Sequence, residues 1–136
     1  MLSSPASHEL AYQLTLEERR SHLHARVIGE RTAENARRFL EETYTACVAN
    51  GYSSVLLEVH LSGPSLDHTT VRGVIGDCSA SGTKLRKIAY VQPVVDDPAV
   101  PYIAERAAIN RGMNVRVFKD VTAAERWLTE NWRFRA

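Results

Sequence analysis

The chain has 136 residues, 44% of them hydrophobic and 24% charged, with a formal net charge of +1. That length makes one domain the default and lets a core form without staples. Near-neutral charge and 7% aromatics exclude a basic nucleic-acid surface, electrostatic attraction to an anionic membrane and a base-stacking platform.

Residues up to Leu10, with Ser3, Ser4, Pro5 and Ser7, read as a flexible leader. They lack the basic start and apolar run of a signal peptide, and no apolar run approaches the roughly 20 residues of a membrane helix. The expected location is the cytoplasm. Tyr12, Leu14 and Leu16 alternate with polar residues, as do Leu23, Ala25 and Val27. The Arg19-Arg20 pair between these strands predicts a hairpin. On the second strand His22, His24 and Arg26 share one side and read as the solvated face of an edge.

Thr32 caps a first long helix with Ala36, Phe39, Leu40, Tyr44, Cys47 and Val48 inward, ended by Gly51. Val55 to Val59 is almost continuously apolar, as in a strand covered on both faces. Ser62 to Ser65 is a turn. Asp67 caps a second helix with Val71, Val74, Ile75 and Cys78 inward, ended by Ser81-Gly82. Cys47 and Cys78 read as small buried apolar residues in a reducing compartment. Within the second helix, Gly73 and Gly76 lack the ending of a phosphate-binding loop and read as allowing close helix approach.

Lys87 to Val91 is the next strand, and Pro93 to Pro98 a loop. Asp97-Pro98 predicts a helix start with proline at the first helical position. This third helix carries Tyr102, Ile103, Ala107 and Ile109, and Gly112 supplies the left-handed residue that ends it. Val115, Val117 and Phe118 form a short strand. Asp120 or Thr122 caps a last helix bearing Val121, Ala124, Trp127 and Leu128. Residues 132–136, with Trp132, Arg133, Phe134 and Arg135, form a short tail.

The order is β-β-α-β-α-β-α-β-α over residues 11–131. It predicts an α/β domain with a mostly parallel sheet and an N-terminal antiparallel hairpin. The free edge of that hairpin makes a homodimer an expected arrangement.

Two constellations invite chemistry. His22, His24 and His60 would supply three imidazoles to zinc, but no acidic or cysteine ligand stands at a characteristic spacing, so no metal is expected. Ser62, Ser65, His60, His68 and Asp67 would suit a hydrolase, but no Gly-x-Ser-x-Gly elbow is present. Neither an enzyme nor a cofactor is expected.

The element order, with Asn110-Arg111-Gly112, Val115 to Phe118 and Ala124 to Leu128, resembles the SpoIIAA-like family of the STAS (sulfate transporter and anti-anti-sigma) superfamily. The resemblance implies a non-enzymatic, bacterial signalling module. Its partner would be a kinase-like anti-sigma factor, and phosphorylation at the start of the second helix would release it. The family's Asp-Ser-Ser-Gly site aligns with Asp67-His68-Thr69-Thr70, so Asp67 and Thr69 become the candidate switch. His68, Thr70, Arg72, Arg106 and Arg111, near the second and third helices, become the candidate partner surface; Arg37 and Arg38 lie on another polar helix face. The family is also similar in organisation to lipid-binding domains of the Sec14 type, which implies a small apolar ligand as the alternative.

Overall fold

A computed structural model describes residues 12–93 and 97–130. The leader, the centre of the loop after Pro93 and the aromatic tail therefore lie outside the described residues. Five strands, β1 (Tyr12–Glu18), β2 (Leu23–Glu30), β3 (Ser54–Ser62), β4 (Lys87–Val91) and β5 (Val115–Phe118), form one sheet in chain order. Four helices are described: α1 (Ala33–Ala49), α2 (His68–Gly82), α3 (Val100–Asn110) and α4 (Val121–Glu130). The β1–β2 pair is an antiparallel hairpin, closed where Arg19 N–H donates to the His22 carbonyl, and the other pairs are parallel. The α/β class and the mixed sheet agree with the sequence.

Strand alternation sorts the sheet into two faces. Leu23, Ala25 and Val27 of β2 join Val55, Leu57 and Val59 of β3 on the main core face. Phe39, Leu40, Tyr44 and Cys47 of α1 and Val74 and Cys78 of α2 close over them. On the other face Leu56, Ala89 and Val91 pack against Ala124 and Leu128 of α4. β3 is thus apolar on both faces because both are covered. Each fully buried Leu or Phe there contributes about 2 kcal/mol relative to exposure.

Caps fall where local chemistry puts them. Thr32 accepts from Asn35 N–H, Asp67 from Thr70 N–H and, of the two candidates, Asp120 from Ala123 N–H. Gly51, Gly63 and Gly112 hold φ of +78°, +98° and +86°, the left-handed region glycine favours. β3 runs on past Val59, because His60, Leu61 and Ser62 pair with Ile28, Gly29 and Glu30.

Other expectations are corrected. Val48 is exposed and Thr43 takes its place in the buried stripe of α1. At about 100° per residue, Thr43 sits inside the arc of Phe39 and Cys47, and Val48 falls well outside it. Pro98 does not begin a helix. Asp97 accepts from Ala99 N–H with its side chain and from Val100 N–H with its carbonyl, a turn with proline at its second position. α3 starts afterwards, with Pro101 in its first turn. The helix buries Pro101 and Ala108, not Tyr102 and Ile109, which are 62% and 51% exposed. Small residues let α3 approach the body, and the large ones project outward. Nor is β2 an edge: it lies between β1 and β3, and His22 and His24 are buried.

Candidate functional site

Three places bring together residues that could bind or react. The first is the start of α2 beside α3. The Asp67 carboxylate accepts from the Thr70 amide and hydroxyl at 2.8 and 2.9 Å. Hydrogen bonds from the Thr70 and Thr69 amides hold its pKa below the ordinary carboxylate value. The free N–H groups of this helix end are thus answered by the chain's own carboxylate. Thr69, one residue into the first turn, is exposed. His68 Nε2 lies 3.1 Å from Asp97 Oδ2, and Ser65 Oγ accepts from Asp97 N–H, which ties the start of α2 to the turn before α3.

Arg72, Arg106 and Arg111 are exposed. Tyr102, Arg106 and Ile109 share one outward face of α3, at the i, i+4, i+7 spacing. The Arg111 guanidinium lies where a Cβ on Gly76 would stand, 2.8 Å from that position, so Gly76 admits a side chain. Gly73 faces open space and serves no close approach.

The second place is an apolar cavity of about 80 Å³ between the main sheet face and α1, α2 and α3. Leu61, Val74, Ala104, Met113 and Val117 supply apolar wall, and Arg31, Tyr44, Tyr90 and Gln92 supply polar groups. It lies toward the carboxyl ends of β2, β3 and β4, the end at which open α/β sheets bind ligands. Arg31 donates to the Leu61 carbonyl at 2.9 Å and to the Gly63 carbonyl. Burial pushes the Tyr90 phenol up to about 12, against the charge of Arg31. Burial also raises the Tyr44 pKa.

The third place is the sheet face beyond α4. His24 Nε2 and His60 Nε2 hydrogen bond the two carboxylate oxygens of Glu58, at 2.9 and 2.6 Å, and Arg26 Nε stands 3.8 Å away. Partial burial opposes the charge on Glu58, but the bonds from His60 and His24 outweigh it and hold its pKa below the ordinary value. His22 does not join them. Its ring is buried and its Nε2 has no hydrogen-bond partner among the described residues. Among the described residues no three His, Cys, Asp or Glu side chains are grouped to hold a metal.

The hydrolase constellation is dispersed. Ser62 Oγ bonds the Gly29 carbonyl and Ser65 the Asp97 amide, while His60 pairs with Glu58 and His68 with Asp97. Cys47 and Cys78 are buried and unbridged, and burial pushes their thiols up to about 12 and about 11. Arg37, by contrast, pairs with Asp77 across α1 and α2 at 2.8 Å. Among the described residues no helix is long and apolar enough to cross a membrane.

Sequence reasoning missed Glu58, Arg31, Tyr44 and Tyr90 as site residues. Glu58 was signalled by its charge inside an apolar run, and the tyrosines by polar tips at inward positions. No protein-family model matches this sequence, and no curated protein matches it either.

Proposed function

We propose that the domain works by binding, as a non-enzymatic regulatory protein-interaction module of the SpoIIAA-like, anti-anti-sigma type. Its partner is a kinase-like anti-sigma factor. The observation that carries this reading is the outward face of α3. There Tyr102 and Ile109, two large apolar side chains, flank Arg106 in the open. Aromatic and arginine side chains of that kind anchor protein interfaces. Arg72 on α2 is a further exposed cation. Thr69 is the switch in this proposal. A phosphate there adds close to two negative charges beside the Asp67 carboxylate and competes with it for the helix amides.

The test is affinity capture from the native host with wild type, Thr69→Glu and the double variant Tyr102→Ala, Ile109→Ala. The proposal expects a protein with a kinase-type ATP site to be retained by wild type and lost from both variants. Recovery of the same proteins by all three overturns it.

A second reading, a carrier of a small apolar ligand, is favoured by the cavity beneath α1, α2 and α3.

A further inference from the structure

We propose that the cavity between the sheet and α1, α2 and α3 binds a small carboxylic acid. Its short apolar body lies among Val74, Ala104 and Val117, and its carboxylate lies toward Arg31. The inference rests on the second reading above and names the ligand class.

Size comes first. The space measures about 80 Å³, roughly half of an apolar cavity that takes up benzene. It accommodates a body of a few carbons and excludes a long acyl chain. The wall chemistry is apolar from both layers, strand side chains below and helix side chains above, so the body is held by desolvation.

Charge decides the head group. Arg19, Arg26 and Arg37 each have a carboxylate within ion-pair distance. Arg31 has none among the described residues, although it is partly buried. Its guanidinium is instead fixed by carbonyls, one of Leu61 and one of Gly63. A guanidinium carries five N–H donors in a rigid fork, so donors remain after two are used. The cation is held in place at an apolar cavity with no counterion among the described residues, which favours an anionic ligand and disfavours an amine. A planar carboxylate matches the fork.

The tyrosines add donors. Tyr44 is only 2% exposed, and it and Tyr90 both line the cavity. Neither phenolic hydroxyl has a hydrogen-bond partner among the described residues. Both phenols stay protonated at neutral pH, since burial raises their pKa values. A carboxylate oxygen would accept a hydrogen bond from either hydroxyl.

The experiment titrates the full chain with butanoate, 3-methylbutanoate and hexanoate, and with their matching alcohols, following backbone amide NMR shifts. The expected result is saturable shifts at Val74, Ala104 and Val117. Each acid should bind about tenfold tighter than its alcohol, the value of one charge-assisted hydrogen bond. Arg31→Gln should bring the acid down to the alcohol's affinity and leave the alcohol unchanged. Ala104→Phe, which fills the space, should abolish both. Equal binding of acid and alcohol to wild type overturns the inference and leaves the apolar-ligand reading standing. No saturable shift with either class overturns both, and acid binding undiminished in Ala104→Phe overturns the placement.

Discussion

His22 shows how one side chain sets a pH response. Burial lowers its pKa from the ordinary 6.5, the field of Glu125 opposes this, and His24 and Arg19 add to it. The folded state therefore prefers the neutral ring, whereas the unfolded chain takes up a proton at about pH 6.5. The stability this residue contributes is full above that pH and is lost as pH falls toward the folded value. Glu58, also lowered, adds a second loss at more acid pH. Urea unfolding should show a smaller stability drop between about pH 7.5 and about pH 5.5 in His22→Gln than in wild type. An equal drop would contradict the assignment to His22. Thr32→Ala should cost about 1 kcal/mol, since the Thr32 hydroxyl accepts the Asn35 amide at 3.1 Å; urea midpoints measure it. Caps such as Thr32, Asp67 and Asp120 were legible in the sequence because capping is settled within one turn. His24 was not, because alternation fixes which face a residue takes but not what stands opposite. The carboxylate that pairs with it comes from β3, 34 residues away.

At the scale of the element, two of the three glycines of α2, Gly82 and Gly73, have opposite duties. Gly82 is buried, and a Cβ there would run into the Met113 methyl and approach Tyr44 to 3.3 Å. Met113 is itself buried and has little room to give. Gly82→Ala should therefore destabilise by about 1–3 kcal/mol through overpacking. Gly73 is exposed with nothing near, so Gly73→Ala should stabilise by about 0.5–1 kcal/mol through helix propensity. Denaturant unfolding of the two variants should give changes of opposite sign; a loss in both would contradict this. The existence and order of the helices were legible from periodicity, but the buried face of α3 was not. Its apolar residues are spread around the helix, and contact is made by Pro101 and Ala108. Size favoured Tyr102 and Ile109, and closeness of approach decided the matter. Glu105, on the buried side, accepts the Val117 N–H of β5 and covers part of that edge.

For the whole molecule, the strand order follows the chain order, with α1, α2 and α3 on one face and α4 on the other. The apolar run of β3 made its covering on both faces legible in the sequence, whereas the strand order and the face each helix takes were not. The sites were less legible because each is assembled from separate elements. The cavity needs β2, β3, β4 and three helices, and the outward face of α3 appears only once its inward face is known. Native mass spectrometry of the protein isolated gently from its own cells tests the interaction module most directly. The prediction is a complex with a second protein in wild type that is absent when Tyr102 and Ile109 are both changed to Asp. The same bare mass in wild type and variant would contradict it.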